Sequence, residues 1–209
     1  GFAAREVLKY KDVKKITLVD LDAGMTDFFK NNETMRSLNG SSLSDPRLQI
    51  INSDAYIWVQ QQKKKYGVII IDFPDPSSYS LGKLYSLQFY RELEKLCTLQ
   101  TKVVIQTTSP YFAPKSFWCI EKTVNRVLPF TQAYHAYVPS FGEWGFCFAS
   151  FEPIKNHGQR KISGLKFYDD NFSQMSYFNK DMKVDSVEVN RLDNQILVRY
   201  FDEEWGKVQ

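Results

Sequence analysis

Residues 66–76 read Tyr66-Gly-Val-Ile-Ile-Ile-Asp72-Phe-Pro-Asp75-Pro76 and carry the strongest fold signal in the chain. Val68 to Ile71 is an unbroken β-branched run, which is typical of a parallel strand covered on both faces. Asp72 stands where this strand would end, and open α/β sheets bind ligands at that end of their strands. Two prolines flank Asp75 and restrict the backbone there. The sequence therefore predicts two carboxylates in a stiff turn, although an aspartate after a strand can also serve only to cap the next helix.

Two more apolar runs end in acidic residues. Ile16 to Val19 is followed by Asp20-Leu21-Asp22, and Leu48 to Ile51 is followed by Asn52-Ser53-Asp54. A helical pattern begins at Ala55, directly after the second run. Because ligands bind at the carboxyl ends of such strands, these acids are candidate site residues.

The remaining patterns alternate between helix and strand. Helices are expected at residues 2–10, from Met25 to Leu38 as one element, from Leu87 to Cys97 and from Phe117 to Leu128, and strands at Val103–Ile105, Ala133–Val138 and Trp144–Ser150. The turn Pro139-Ser140-Phe141-Gly142 between the last two strands predicts a β-hairpin at the edge of the sheet. The repeated order predicts an α/β fold with a doubly wound sheet that ends in this hairpin.

The segments after the central strand and near the end of the chain are harder to assign. Residues 77–83 are rich in turn formers and follow the proposed acids directly, which favours a lid over a plain surface connection. Residues 154–163 are polar and predict a linker. Beyond it we expect one or two short helices within Phe167–Asp181 and a strand at Gln195–Phe201. The predicted domains are therefore residues 1–152 and, over residues 153–209, a linker with a small α+β extension.

Composition excludes several classes of protein. The chain has 209 residues, 43% of them hydrophobic, and a formal charge of +3, which fits one soluble domain with an appendage. No apolar run approaches the roughly 20 residues of a membrane span, and nothing argues for nucleic-acid binding. Cys97, Cys119 and Cys147 are too scattered for a disulfide framework or a cysteine zinc site. A reducing, cytoplasmic compartment is expected.

Seven motifs follow one another along residues 1–150: Gly1-Phe-Ala-Ala-Arg5-Glu6-Val7, Val19-Asp20-Leu21-Asp22, Asn52-Ser53-Asp54-Ala55, Asp72-Phe-Pro-Asp75-Pro76, Lys83-Leu84-Tyr85-Ser86, Gln106-Thr107-Thr108-Ser109-Pro110-Tyr111 and Pro139-Ser140-Phe141-Gly142-Glu143-Trp144-Gly145-Phe146. Together they resemble the motifs of the spermidine synthases, the polyamine aminopropyltransferases. The last three, and the tail from Gly164 to Trp205, are most similar to a bacterial branch whose longer members carry a membrane-embedded region ahead of this domain. The resemblance implies a Rossmann-like sheet of the S-adenosylmethionine-dependent methyltransferase type.

The resemblance also implies a role for each matched residue. The co-substrate, decarboxylated S-adenosylmethionine, would be bound by Gly1, Asp20, Leu21, Asp22, Asp54 and Ala55. Within that set Asp20 would accept from the ribose hydroxyls and Asp54 from the adenine amino group. The amine would be contacted by Asp75, Tyr79, Gln106 and Glu143. Neither a metal nor a permanently bound cofactor is implied.

The two acids of the central turn, Asp72 and Asp75, would be catalytic. An alkyl amine has a pKa of about 10.4, so it arrives protonated and becomes a nucleophile only after a base removes a proton. Asp72 is the expected base, and Asp75 is the expected anchor for the cation. The implied activity is transfer of an aminopropyl group to a di- or polyamine, putrescine or a longer one, with release of methylthioadenosine.

Two other functions remain open from the sequence. A methyltransferase shares this type of sheet and the nucleoside half of the co-substrate, although the paired acids suit a cationic amine better. A nucleoside-binding module without turnover is the third hypothesis, because the chain begins at the last glycine of the loop that reads G-G-G-D-G in the family. For the same reason we expect the natural chain to continue upstream of Gly1. A homodimer, and a membrane anchor outside this segment, are further expectations.

Overall fold

A computed structural model describes residues 1–154, 175–184 and 186–206. The described residues form two compact units, residues 1–61 and the residues from 62 onward. The helix near the end of the chain packs against helices of residues 79–125, and the domain boundary expected after residue 152 stays a prediction. Most of the expected linker at residues 154–163, and residues 167–174 of the segment expected to be helical, lie outside the described residues.

The first unit is built around two parallel strands. Its elements are α1 (Phe2–Leu8), β1 (Ile16–Asp20), α2 (Ala23–Asn31), α3 (Glu33–Leu38), a 3-10 helix (Ser42–Ser44), β2 (Leu48–Asn52) and α4 (Ala55–Gln61). β1 and β2 pair from Ile16 opposite Leu48 to Asp20 opposite Asn52. Both strands therefore end at one edge with their polar residues, as predicted.

The single helix expected from Met25 to Leu38 is wrong, because the chain breaks at Asn32. This residue lies between α2 and α3 in an extended conformation, with φ −71° and ψ 128°. Its side chain accepts a hydrogen bond from the Met35 backbone N–H at 3.2 Å. Asparagine side chains compete for backbone donors in this way, which makes them good caps and weak interior residues of helices. The apolar spacing continues across the break, so periodicity alone misses it.

The second unit contains a four-stranded mixed sheet. Its elements are β3 (Tyr66–Ile71), α5 (Tyr79–Gly82), a 3-10 helix (Lys83–Tyr85), α6 (Leu87–Glu94), β4 (Cys97–Gln106), α7 (Pro114–Asn125), β5 (Phe130–Val138), β6 (Gly142–Ser150), a 3-10 helix (Lys180–Met182) and α8 (Ile196–Trp205). The strand order is β3-β4-β6-β5, in which β3 and β4 are parallel and the other pairs are antiparallel. The α/β class and the terminal hairpin are thus confirmed.

One face of this sheet forms the core of the second unit. Val103 lies opposite Ala149, and Ile105 lies opposite Cys147. All four side chains are completely buried. Helix α7 packs against β5 and β6, and its Phe117 is also completely buried. Burial of this apolar face against a helix is the main stabilising term for such a layer.

The other face of the sheet is open at β3, so the expectation of a strand covered on both faces is wrong. Val68 and Ile70 are 61% and 50% exposed, whereas Ile71 is 5% exposed. Side chains alternate between the two faces of a strand, and Ile71 shares the buried face with Ile105, its partner in β4. The continuous β-branched run therefore reflects a strand with one buried face and one open face.

Helix α8 replaces the strand expected at Gln195–Phe201. Leu197 and Phe201 are buried at helical spacing, four residues apart, and Ile196 and Val198 on either side of Leu197 are buried as well. One turn later, Glu204 accepts hydrogen bonds from the backbone N–H groups of Lys115 at 2.7 Å and Ser116 at 3.0 Å. Glu204 thereby supplies a cap to α7, whose first turn has unpaired N–H groups. The short run Ile196-Leu197-Val198 has a composition typical of a strand, and only its packing in the folded chain favours a helix. The described residues 175–184 and 186–206 contain no strand.

Residues 77–83, the expected lid, contain helix α5. Ser78 begins it by accepting a hydrogen bond from the Leu81 N–H at 3.3 Å. The Gly82 carbonyl accepts from Asn190 Nδ2 at 3.0 Å, and a Cβ at Gly82 would lie 2.5 Å from Val198. The end of the segment is therefore fixed to residues near the end of the chain, and movement of its start as a lid stays a prediction.

Two expectations from the sequence concern the pairing of the cysteines and the presence of membrane-spanning helices. Cys97, Cys119 and Cys147 are buried and unbridged. Burial raises the pKa of the Cys97 thiol to about 11 and that of Cys119 to about 12, so these thiols are poor nucleophiles at neutral pH. Within the described ranges, no helix combines the length and the apolar character required to cross a membrane.

Candidate functional site

Hydrogen bonds join the carboxyl ends of β1 and β2 at one edge of the first unit. The Asp20 carbonyl accepts from the Ser53 N–H at 3.0 Å and from Asn52 Nδ2 at 3.3 Å. Asn52 Nδ2 also donates to Thr26 Oγ1 at 3.0 Å and so contacts α2. These bonds bring the acidic turn at residues 20–22 beside the one at residues 52–54.

Each carboxylate at this edge accepts a backbone N–H close by in the chain. Asp20 Oδ1 lies 2.9 Å from Asp22 N, and Asp54 Oδ1 lies 2.8 Å from Tyr56 N. Asp22 Oδ1 lies 3.0 Å from Met25 N and caps α2, so capping accounts for this residue without a ligand. Asp20 and Asp54 are only partly buried. Because a carboxylate has about four acceptor positions, both can still accept from a ligand.

The other residues assigned to the co-substrate lie on the same unit. Leu21 is 74% exposed between the two acids of its turn. Ala55 begins α4, directly after Asp54. Gly1 precedes α1, and its carbonyl accepts from Ser42 Oγ in the 3-10 helix at 2.7 Å. The β1–β2 edge therefore brings together the acids, Leu21 and Ala55. The Gly1 carbonyl is held by Ser42 and by the Arg5 N–H, at 3.0 Å.

The two acids after β3 differ in their surroundings. Asp72 is exposed, whereas Asp75 is half-buried. Burial raises the pKa of Asp75 above its usual value of 3.8, because removal from water disfavours the charged form. Gln106 Nε2 donates to Asp75 Oδ1 at 3.3 Å and acts on this pKa in the opposite direction. One carboxylate is thus open to solvent, and the other is desolvated and held by an amide.

Tyr85 holds the turn between these acids. It is completely buried, and its hydroxyl lies 3.1 Å from each of three acceptors, the Phe73 carbonyl, the Pro74 carbonyl and Gln106 Oε1. The Phe73 ring also packs edge-to-face on the Tyr85 ring, with 6.1 Å between centroids. The stiff turn predicted from the prolines is therefore also held from the side. Sequence reasoning assigned no role to Tyr85, and its only signal was its place in the Lys83–Ser86 motif.

Thr108, just after β4, was also missed by sequence reasoning as a contributor to the acid pair. It is completely buried and has a φ of 64°, which β-branched residues rarely adopt. Its carbonyl accepts from the Gly145 N–H at 2.8 Å, and a Cβ at Gly145 would lie 2.6 Å from that oxygen. The Thr108 hydroxyl acts to lower the pKa of Asp75. It nevertheless makes no hydrogen bond of normal geometry to any described residue.

A groove of about 310 Å³ lies on the open face of the second unit's sheet, and we call it the sheet groove. Its polar groups come from Asp72 and Gln106, and its apolar walls include Ile70, Val104, Phe141, Trp144 and Phe146. The rings of Phe141 and Trp144 lie against each other, with 5.0 Å between centroids. Apolar walls with a few polar groups bind ligands that are mostly hydrocarbon and orient them by their polar ends. The sheet groove thus suits an aliphatic chain that carries a positive charge.

Two residues assigned to the amine have other surroundings. Glu143 Oε2 lies 2.7 Å from His135 Nδ1, and the other ring nitrogen of His135 lies 2.7 Å from the Tyr177 carbonyl. Side chains alternate along β6, so Glu143 lies on the face opposite Trp144 and the sheet groove. Tyr79 begins α5 and is 69% exposed. The second unit thus brings Asp72, Asp75 and Gln106 together, but Glu143 pairs with His135 instead.

A larger hollow, of about 480 Å³, lies in the first unit, and its charged groups are less suited to binding a ligand. Its cations include Arg5, Lys9 and Arg47. The guanidinium of Arg5 pairs with Glu6 at 2.9 Å, and that of Arg47 pairs with Asp45 at 3.1 Å. Cations that are already paired with carboxylates in this way do not form a preorganised anion site.

Comparison with known proteins identifies relatives of the whole chain. A family model described as "Spermine/spermidine synthase domain" matches residues 1–160. A polyamine aminopropyltransferase of Leptospira interrogans is 43% identical over 210 residues, which cover 100% of this chain and 42% of that protein. Polyamine aminopropyltransferase 2 of Ralstonia nicotianae is 47% identical over 214 residues, which cover 100% of this chain and 41% of that protein. The chain thus spans about two-fifths of the length of these curated relatives.

Solved structures share the fold. The crystal structure of spermidine synthase from Thermotoga maritima matches with a TM-score of 0.63 and 22% identity, over 99% of this chain and 65% of that one. A spermidine synthase in complex with the transition state analogue AdoDATO matches with a TM-score of 0.64 and 23% identity, over 99% of this chain and 66% of that one. The likeness supports the Rossmann-like, methyltransferase-type fold expected from the sequence.

Proposed function

The chain belongs to the spermine/spermidine synthase family, and from this premise we propose that its protein transfers an aminopropyl group from decarboxylated S-adenosylmethionine to a di- or polyamine. The observation that carries the proposal is the acid pair after β3. Asp72 is exposed, Asp75 is half-buried and held by Gln106, and Asp72 and Gln106 both border the apolar sheet groove. An aliphatic amine needs this combination of a desolvated anion, a base and an apolar wall.

The first unit supplies acceptors for the nucleoside half of the donor. Asp20, at the end of β1, would accept from the ribose hydroxyls, since its two oxygens match a vicinal diol. Asp54 would accept from the adenine amino group, and Ala55 would contribute its backbone at the start of α4. Leu21 would contact the nucleoside through its exposed side chain. Asp22 would act through the cap of α2 that positions this turn, and Gly1 would lie near the donor as the sequence motif implies.

The second unit supplies the groups for the amine. Asp75 would bind the ammonium, because an opposite charge offsets the desolvation that raises its pKa. Asp72 would accept a proton from the attacking nitrogen. Gln106 borders the sheet groove and fixes Asp75, and Tyr79, which is exposed at the start of α5, would contact the amine.

The reaction proposed is a direct displacement. The nitrogen lone pair attacks the methylene carbon beside the sulfonium, and the carbon–sulfur bonding pair goes to sulfur, which leaves as neutral methylthioadenosine. The lone pair is freed beforehand, when the arriving ammonium passes one proton to Asp72. The new carbon–nitrogen bond then moves the positive charge from sulfur to nitrogen, so the product is a secondary ammonium. A general base of this kind contributes about 10²- to 10⁴-fold to the rate.

Mass spectrometry of turnover tests the proposal directly. The intact natural protein is incubated with decarboxylated S-adenosylmethionine and, separately, with putrescine, spermidine or no amine. Methylthioadenosine and the aminopropylated amine should appear in equal amounts, and only when an amine is present. Methyl transfer from S-adenosylmethionine would favour a methyltransferase instead, and nucleoside binding without any product would favour a binding module. Either result would overturn the proposal.

A further inference from the structure

The Tyr85 hydroxyl faces more acceptors than it has protons. The carbonyls of Phe73 and Pro74 and Gln106 Oε1 all lie 3.1 Å from it. All three are acceptors, so the hydroxyl must act as the donor to this group. The pKa of Tyr85 is raised well above its usual value by burial and by the nearby charges of Asp75 and Asp72. The hydroxyl therefore keeps its proton at neutral pH.

When the hydroxyl donates to Gln106 Oε1, as it does in this structure, it favours one orientation of the Gln106 amide. With Oε1 toward Tyr85, the amide nitrogen points at Asp75 Oδ1, 3.3 Å away. The reversed amide would place Oε1 against the carboxylate, so two acceptors would face each other. Only a protonated Asp75 could donate to the reversed amide. The hydrogen bond from Tyr85 and the ionised form of Asp75 thus favour the same orientation of the amide.

We propose that Tyr85 is a positioning residue that acts through Gln106 to keep Asp75 ionised and aimed at the amine. Its catalytic consequence rests on the proposed function. The relay runs from the Tyr85 hydroxyl to the Gln106 amide and on to the Asp75 carboxylate, and the same hydroxyl holds the backbone between the two acids. The charged groups that raise the pKa of Tyr85 are Asp75 and Asp72. Gln106 is neutral, so it acts on Asp75 through the orientation of its amide.

Tyr90 is a second buried tyrosine, and it is not part of this relay. It is completely buried five residues after Tyr85, on α6. Its hydroxyl has no hydrogen-bond partner among the described residues. Tyr90→Phe therefore removes a buried hydroxyl without touching the acid pair, and it is the matched control for Tyr85→Phe.

The first experiment measures the titration of Asp75 by carbon-13 NMR in the intact protein, which needs no turnover. Tyr85→Phe should raise the apparent pKa of Asp75, whereas Tyr90→Phe should leave it at the wild-type value. Gln106→Leu should raise it as well, and adding Tyr85→Phe to Gln106→Leu should cause no further rise, because residues in one relay are not additive. An unchanged apparent pKa of Asp75 in Tyr85→Phe, or pKa shifts that add in the double variant, would overturn the proposal. If Tyr85→Phe does not fold, Gln106→Leu decides, since an unchanged Asp75 there also excludes the relay.

The second experiment measures the KM for the amine in the same variants. Tyr85→Phe should raise it roughly 2- to 10-fold, the range for loss of one hydrogen bond, while kcat at saturating amine stays near wild type. The pH profile of kcat/KM should move to higher pH, because a higher pKa of Asp75 requires a higher pH for its ionisation. Tyr90→Phe should match wild type in both. A wild-type protein without aminopropyl transfer would refute the proposed function, whereas the NMR result would still decide the role of Tyr85.

Discussion

Carboxylates follow strands in both units, but they are held by different kinds of contact. After β1 and β2, Asp20 and Asp54 each accept a backbone N–H two residues further along the chain. After β3, Asp75 is held by Gln106, which lies 31 residues away in sequence, and Gln106 in turn is held by Tyr85. The first arrangement is local, and the second depends on the packing of the whole unit.

This difference determines which kind of donor each acid suits. A carboxylate that accepts a backbone N–H in a partly open turn remains hydrated, so it serves as an acceptor for neutral donors such as hydroxyls. Asp75 is half-buried, and burial raises its pKa, so an arriving cation lowers the free energy of its charged form. The same residue type is therefore suited to a nucleoside in one unit and to an ammonium in the other.

The largest expected effect comes from Asp72→Asn, which tests whether the exposed member of the pair is the base. The substitution keeps the shape of the side chain and removes the proton acceptor. We expect kcat to fall by about 10²- to 10⁴-fold, with binding of methylthioadenosine unchanged. Steady-state kinetics at saturating amine and calorimetry measure the two quantities. Near-native kcat in this variant would remove Asp72 from the role of base.

Asp75→Asn should instead act on binding of the amine. Loss of the half-buried anion leaves a cation without its partner, which costs about 2 to 3 kcal/mol and raises KM for the amine roughly 30- to 150-fold. Asp72→Asn is the matched control, because it removes the same charge three residues earlier. Equal losses of kcat in both variants, with KM unchanged, would mean that the acids act as one unit.

Asp20→Asn tests the locally held class of carboxylate. An amide is a poorer acceptor for the ribose hydroxyls, so the affinity for methylthioadenosine should fall by about 1.5 kcal/mol, roughly 10-fold, at the lower end of the range for hydrogen bonds to charged groups. The KM for the amine should not change. Asp22→Asn is the control, since an asparagine still caps α2. Calorimetry that finds equal affinity in Asp20→Asn and wild type would exclude Asp20 from the nucleoside site.

The smallest expected effect is on stability. Because the native pKa of Asp75 is raised, the native state holds this proton at a pH where the unfolded state has lost it. Stability therefore falls as pH rises through the interval between the unfolded value of about 3.8 and the higher native value. Asp75→Asn should remove this loss, so its Tm above that interval should be slightly higher than that of wild type.

The exposed Asp72 is again the control for that measurement. Asp72→Asn should leave Tm close to the wild-type value across the same pH range, because substitutions of exposed residues usually change stability little. Thermal unfolding followed by circular dichroism at several pH values measures both variants. A lower Tm for Asp75→Asn at neutral pH would show that the carboxylate stabilises the turn, contrary to its desolvation.

Prediction from sequence succeeded where the signal is local. The strands β1, β2 and β3 with their terminal acids, and the hairpin of β5 and β6, follow from apolar runs and turn residues. Prediction from sequence failed where contacts with other residues decide the conformation of a segment. The break at Asn32, the helical state of residues 196–205 and the open face of β3 depend on a competing cap or on what packs against each segment.

The amino-acid sequence by itself determined the family, the positions of most strands in the first 150 residues and the acidic residues that follow β1, β2 and β3, because motifs and strand ends are encoded by adjacent residues. Only the tertiary structure decided that Asp75 is desolvated while Asp72 is exposed, that Glu143 pairs with His135, and that Tyr85 and Gln106 support Asp75. Burial and hydrogen bonds between residues 21 or 31 positions apart arise only when the layers pack, and no local pattern specifies them.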